Sequence, residues 1–424
     1  MKTISKQAPE EQPTSLAPLP QLPRLEAGAG FDLLAGVIVI DLTTSVAGPY
    51  ATMLLADLGA VVLKIERPPL GDDTRAWGPP FLDGQSLWFL SVNRNKKSIM
   101  LDTGLNQGRT VLKQLIAKGD IVVTNQPPGV QRKLGLDYTS LKAVNNDLIF
   151  VSITGFGLTG ERADLTCYDL IAEGYSGIMD VTGAADGAPQ KVGAPAADMV
   201  AGQDAAMAAI GALFNRSRTG KGRLIDVALV ESMTRFLCCR IVPYLGSGEV
   251  PTRTGGTDSV IAIYQAFETA DRPITLGLGN DAIWQRFWKA VGRPGYSNAP
   301  ELASNSQRRA RRVDIVRDIQ EILKTNTRAH WLDSFAQFRV PAGPINRLDE
   351  VSADPELQAR GLFFNLTSGA SLVPQVGLGI RVDEKTATPR QPPPRLGEHT
   401  AEILTEILGY SVAEIEEFRS VGII

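Results

Sequence analysis

Gly36-Val-Ile-Val-Ile-Asp-Leu42, Thr43-Thr-Ser-Val-Ala-Gly-Pro-Tyr-Ala-Thr-Met-Leu-Leu-Ala-Asp-Leu-Gly59 and Val61-Val-Leu-Lys-Ile-Glu66 follow one another almost without a spare residue. The first run is continuous, β-branched and bounded by glycine, as expected of a strand covered on both faces. In the second, Pro49 suits a first helical turn, Met53, Leu54, Leu55 and Leu58 keep helical spacing, and Gly59 is a natural helix stop. The third is another apolar strand. Residues 36–66 therefore read as one β-α-β unit, which requires a parallel sheet.

The pattern recurs outward from this unit. Ser98-Ile-Met-Leu101, Asp120-Ile-Val-Val-Thr124, Leu148-Ile-Phe-Val-Ser-Ile153 and Arg223-Leu-Ile-Asp-Val-Ala-Leu229 read as strands, and Gln107–Ala117 as a helix. The fold class is α/β, with a large doubly wound, Rossmann-like domain over 31–229. Ligands in such folds bind beyond the carboxyl ends of the strands, which directs attention to Asp41–Val46, Glu66, Arg67, Asn125 and Thr154–Gly160. The last of these contains Gly155-Phe-Gly157-Leu-Thr-Gly160. Because the polar Glu161-Arg-Ala-Asp-Leu-Thr follows where a dinucleotide fingerprint needs a helix, we read it as a tight glycine turn. From 230 to 345 the pattern changes, with Ile274–Leu278, Trp284 and Trp288 marking a smaller α+β domain. Residues 346–424 are expected to return to the large domain, Glu398–Leu404 opening a C-terminal helix. Residues 1–30, with Pro9, Pro13, Pro18, Pro20 and Pro23, are expected to be a disordered or extended tail. Arg308, Arg309, Arg311 and Arg312 read as a solvated helix face.

The stretch with most chemical promise is Gly193-Ala-Pro-Ala-Ala-Asp198, followed by a small-residue helix from about Met199 to Phe214. Asp198 reads as its N-cap, where the helix dipole favours a carboxylate. That role alone explains an aspartate. Met199, Ala206, Ala209, Ile210 and Leu213 nevertheless make the helix apolar over much of its surface, and a carboxylate at the end of a buried helix can serve as a nucleophile.

A chain of 424 residues, 43% hydrophobic with net charge −3, has no nucleic-acid footprint. Its three cysteines, Cys167, Cys238 and Cys239, form no C-x-x-C pair, so neither a disulfide framework nor a metal site is expected. No run approaches the apolar length of a membrane span, and the N-terminus lacks an apolar signal core, so a cytoplasmic location without membrane contact is expected.

Several motifs spread over about 31–420 together carry a resemblance: Ala47-Gly-Pro-Tyr50, Leu54-Leu-Ala-Asp-Leu-Gly-Ala60, Lys64-Ile-Glu-Arg67, Gly71-Asp-Asp-Thr-Arg75, Asn93-Arg-Asn-Lys-Lys-Ser-Ile99, Leu134-Gly-Leu136, Gly155-Phe-Gly157, Tyr168-Asp169, Gly220-Lys-Gly222, Val340-Pro-Ala-Gly-Pro344 and Leu396-Gly-Glu-His-Thr400. In their order and spacing the sequence resembles the class III coenzyme A transferases (CaiB/BaiF type, formyl-CoA transferase-like), whose relatives include the α-methylacyl-CoA racemases.

The resemblance implies that Asp198 is the nucleophile, forming an aspartyl anhydride and then an aspartyl-CoA thioester. Coenzyme A and acyl-CoA are then substrates, with no ATP, metal or permanently bound cofactor. It places Arg67, Leu101, Asn125 and Lys133 along the CoA groove, Lys133 where arginine is common. Ser45 and Val46 fall beside the thioester, where some members have glutamine. Val46 has no side-chain hydrogen bond to offer, so backbone N–H groups are the available oxyanion donors. Trp77 and Tyr168 fall on the acyl pocket, and Gly255 and Gly256 resemble a glycine loop covering the site. A homodimer of interlocked rings is the implied assembly. Racemases of the family carry histidine immediately before the aspartate of Tyr168-Asp169. Tyrosine, with a pKa near ~10, is a poor base there, which favours transfer. A racemase-type isomerase and a non-catalytic acyl-CoA-binding protein remain the alternatives, and Asp169 is either an orienting or a purely structural group. The acid is not named by the sequence; succinyl-CoA is a donor that many relatives use.

Overall fold

A computed structural model describes residues 19–258 and 260–424. The stretch read first is a β-α-β unit: β1 (Ile38–Leu42), α1 (Ala47–Asp57) and β2 (Val61–Glu66). The pattern continues with β3 (Lys96–Met100), α2 (Asn106–Lys118), β4 (Ile121–Thr124), β5 (Ile149–Thr154), α3 (Asp169–Ser176), α4 (Ala196–Thr219), β6 (Arg223–Ala228) and α5 (Leu229–Phe236). The six strands pair in the order β3-β2-β1-β4-β5-β6, every pair parallel. Strand order reverses between β1 and β4, which opens a crevice beyond their carboxyl ends.

Alternation of side chains across each strand supplies a core on both faces. Val39, Val62, Ile121 and Ile149 point toward α1 and α4. Their neighbours Ile40, Leu63, Val122 and Phe150 point toward α2 and the C-terminal helices, represented by Ile403, Leu404 and Ile415. On the first face, α4 can lie close to α1 because it presents glycine and alanine. A Cβ on Gly202 would stand 2.7 Å from the Ala47 carbonyl oxygen and 3.0 Å from the Tyr50 ring.

A separate core lies within residues 262–340. The antiparallel strands Tyr264–Phe267, Ile274–Gly277 and Ala342–Pro344 border it. Trp284, Trp288, Ile319 and Phe335 fill it from three helices. The expected solvated arginine face is only partly so: Arg308 is buried, donates to the Leu302 and Ala303 carbonyls, and pairs with Asp281 at 2.7 Å. Its flat guanidinium also covers the Trp284 ring, which the aspartate charge balances.

Of the proline-rich segment, residues 1–18 lie outside the described residues. Arg24–Leu25 departs from a disordered tail by pairing in parallel with Phe363–Ser368, which itself pairs with Ser371–Val376. No helix among the described residues is long and apolar enough to cross a membrane.

Candidate active site

The loop between β1 and α1 is held by charges in the sheet beneath it. Asp41 is fully buried; its Oδ1 accepts from the Thr43 N–H and hydroxyl, and its Oδ2 from Thr52 and the Lys96 ammonium at 3.1 Å. Burial opposes its charge, yet Lys96 and Lys64 bring its pKa down to about 2. Lys64, also fully buried, donates to the Thr43 carbonyl at 2.9 Å and to Asp72 at 2.8 Å. Asp72 in turn accepts the Ser45 N–H at 3.1 Å and two hydrogen bonds from Thr74. This network fixes Ser45 in the left-handed region, at φ 69°, a conformation that a non-glycine residue adopts at some energetic cost.

With Ser45 so turned, the chain enters α1 with Val46 as the residue before the helix. The N–H groups of Val46, Ala47 and Gly48 have no hydrogen-bond partner among the described residues. They are first-turn donors of the kind that receive anions. Asn125, just past β4, clasps the same loop by accepting from the Thr44 N–H (3.1 Å) and donating to its carbonyl (2.7 Å).

Asp198 arrives from the opposite helix. It is not the N-cap that its sequence position suggests: α4 begins at Ala196, Pro195 precedes it, and Asp198 is the third helical residue. The cap comes from a distant residue, Asp169 at the start of α3, whose Oδ1 accepts the N–H groups of Ala197 (2.9 Å) and Asp198 (3.2 Å). A proline has no side-chain acceptor to cap with, so a carboxylate from the neighbouring helix substitutes. The Asp198 carboxylate is thereby left without a hydrogen-bond or ion-pair partner among the described residues. Burial, and then the negative charge of Asp169, push its pKa up to about 7.

Asp198, Val46, Ala47, Ser45, Asn125, Trp77, Trp88 and Tyr168 line one cavity of about 610 Å³, a volume suited to a small organic ligand. Trp77 meets Trp88 edge to face, with ring centroids 5.8 Å apart, on its wall. Cys167 also lines it, but burial and the Asp198 charge push its thiol up to about 11. At neutral pH the thiol stays protonated.

A second cavity of about 390 Å³ contains Arg67 and Leu101 and shares Thr44 and Asp73 with the first. Lys133 is exposed on the helix Pro128–Leu134 and lines neither cavity. Gly255 and Gly256 are exposed, and Gly255 donates to the Gly183 carbonyl at 3.0 Å; they too line neither cavity. No group of metal-ligating side chains occurs among the described residues. The sequence leaves Asp169 open between an orienting and a structural role and carries no local signal for Glu173. Glu173 is fully buried one helical turn beyond Asp169, and its Oε2 accepts the Val192 N–H at 2.8 Å.

The model for CoA-transferase family III matches residues 34–400. The chain belongs to that family. The class III CoA-transferase is 39% identical over 382 residues to a succinate–glutarate CoA-transferase of Agrobacterium fabrum, covering 88% of this chain and 95% of the relative. It is 38% identical to the succinyl-CoA:glutarate CoA-transferase of Mus musculus, covering 92% of this chain and 90% of that one. A crystal structure of a CaiB/BaiF family protein from Brucella suis superposes with a TM-score of 0.78 at 39% identity, over 88% of this chain and 99% of that chain. As a CoA-transferase, the protein uses CoA thioesters as substrates and works without a permanently bound cofactor.

Proposed function

We propose that this CoA-transferase moves coenzyme A from succinyl-CoA to a dicarboxylic acid of glutarate size, through covalent intermediates on Asp198. The observation that carries this reading is the partnerless Asp198 carboxylate sharing one cavity with Val46 and Ala47, whose N–H groups are unclaimed. The acceptor class is taken from the named relatives, which act between succinate and glutarate.

Asp198 attacks the thioester carbonyl, an aspartyl–acyl anhydride forms and CoA leaves as thiolate. The thiolate attacks the aspartyl carbonyl, the donor acid departs as a carboxylate, and an aspartyl-CoA thioester remains. The acceptor carboxylate attacks that thioester, giving a new anhydride and free thiolate. The thiolate then takes the acyl group, releasing new acyl-CoA and restoring the Asp198 carboxylate. Each tetrahedral oxyanion is received by the N–H groups at the head of α1, so that Val46 serves through its backbone. Arg67 and Leu101 hold the nucleotide end of CoA in the second cavity. The pantetheine arm passes Thr44 and Asp73, common to both cavities, to reach Asp198, with Asn125 fixing that loop. Lys133, Gly255 and Gly256, which line neither cavity, take no part in these steps.

The sheet is read as Rossmann-like, and the working form as a homodimer of interlocked rings. Met207, Phe214, Phe236, Val242 and Leu245 are more than half exposed in the single chain and supply apolar surface for a partner copy.

Intact mass after brief incubation with succinyl-CoA tests the reading. A CoA-sized adduct that hydroxylamine removes, and that the Asp198→Asn variant never forms, is the expected result. Turnover of succinyl-CoA and glutarate by Asp198→Asn at the normal rate would overturn it.

A further inference from the structure

Apart from the N–H groups at the head of α1, the cavity around Asp198 offers an acyl group mostly acidic side chains. Four carboxylates line it: Asp73, Asp164, Asp169 and Asp198. Among the described residues Lys191 is the one cationic side chain that does. Asp164 has an outside partner in Arg132 at 3.9 Å, whereas Lys191 forms no ion pair among the described residues. Its ammonium makes one hydrogen bond, to the Val192 carbonyl at 3.1 Å, and so retains two donors. A monoacyl thioester brings no charge to this part of the cavity, but a dicarboxylic one brings a carboxylate that the four acidic groups repel.

We infer that Lys191 is the specificity-determining residue that receives the distal carboxylate of a dicarboxylic acyl group. The inference rests on the transferase reading above and adds to it the residue that selects the substrate class.

The backbone that follows Lys191 is fixed at two points. Glu173, fully buried, accepts the N–H of Val192, the next residue. Six residues on from Val192, Asp169 accepts the N–H of Asp198 itself. The two carboxyls are one turn apart on α3, so the segment 192–198 is held at both ends by a single rigid helix. The nucleophile and the residue next to the cation are thereby kept in constant relation, which fixes where the lysine stem starts. An ammonium is a compact point charge on a flexible stem, able to meet carboxylates at more than one chain length. Four- and five-carbon diacids can then share the site, consistent with exchange between them.

The test compares two thioesters of equal chain length, succinyl-CoA and butyryl-CoA, for binding to the full-length Asp198→Asn protein by calorimetry, with and without Lys191→Met. With Lys191 present, succinyl-CoA is expected to bind about tenfold more tightly than butyryl-CoA, as one charge-assisted contact provides. Lys191→Met is expected to abolish that preference while leaving butyryl-CoA affinity unchanged, and Lys191→Arg to restore most of it. Equal weakening of both ligands, or an intact preference in Lys191→Met, would overturn the inference. Adduct formation on the protein with Asp198 intact is scored in parallel. An adduct together with an unchanged preference removes Lys191 alone, whereas lost preference without any adduct keeps Lys191 as a binding residue and removes the covalent transferase reading.

Discussion

Asp169 holds Asp198 by its backbone and opposes it by its charge. Its Oδ1 accepts the Asp198 N–H at 3.2 Å and that of Ala197 at 2.9 Å, while its negative charge raises the Asp198 pKa. The two effects separate on mutation. Asp169→Asn keeps an oxygen acceptor and loses the charge, so the acidic limb of the pH–rate profile is expected to move to lower pH with little change in stability. Asp169→Ala loses the cap as well, at a cost of about 1 kcal/mol, and kcat is expected to fall further than in the asparagine variant. Profiles and thermal melts of both variants check this.

In the mechanism proposed above, Asp198 must be ionised to attack a thioester. With its pKa at about 7, kcat/KM is expected to rise with pH and level off above neutrality. The same shift acts on stability with a definite sign. The folded-state value lies above the ordinary 3.8, so the folded protein binds the proton more tightly, and stability falls as pH rises from the ordinary value through about 7. Asp198→Asn removes that penalty and is expected to stabilise the protein at pH 8 by about 1–2 kcal/mol, a figure reduced for partial solvent access. Denaturant melts at pH 5 and pH 8 should show the gain at the higher pH and only about a third to a half of it at the lower.

The β-α-β unit and the alternating strands were legible because periodicity is a local property: residues 36–66 carry their own pattern of strand, helix and stop. The start of α4 was not. Asp198 looks like a cap from its neighbours alone, and the actual cap, Asp169, lies 29 residues earlier in the chain, beyond the reach of any local pattern. Lys64 did carry a signal. A lysine between Leu63 and Ile65 in a strand covered on both faces must have a buried partner, and the motif quoted for resemblance is in fact part of an ion-pair network. Arg308 misled in the opposite direction, since a run of arginines describes a solvated face only until one finds a carboxylate and an indole. Lys191 sits in an irregular loop, where neither spacing nor composition marks it.

Gly202 tests the contact between α4, which carries Asp198, and α1, which carries the free N–H groups of Ala47 and Gly48. A methyl group there would stand 2.7 Å from the Ala47 carbonyl oxygen, and since this is backbone, α4 must move rather than a side chain. Gly202→Ala is expected to destabilise the protein by about 1–3 kcal/mol. Because Asp198 lies one turn before Gly202, kcat is expected to fall while the affinity for free CoA changes little. Activity assays set beside CoA titration distinguish this pattern from general unfolding.

Lys64 tests whether the buried network shapes the site or merely supports the sheet. Burial opposes its charge, but Asp72, Asp41 and Glu66 hold its pKa above the ordinary value, so it remains an ammonium throughout the working range. Lys64→Met fills a similar volume and leaves Asp72 buried without its cation, a change expected to cost about 3–5 kcal/mol. The double variant Lys64→Met/Asp72→Asn removes both charges and is expected to recover much of that stability. Catalysis should not recover in parallel, because Lys64 also donates to the Thr43 carbonyl at 2.9 Å and helps hold the turn at Ser45. Once that turn relaxes, the Val46 and Ala47 N–H groups lose their aim at the Asp198 cavity. A double variant with restored melting temperature but depressed kcat would therefore assign the network a positioning role. Full recovery of both would reduce it to structural support.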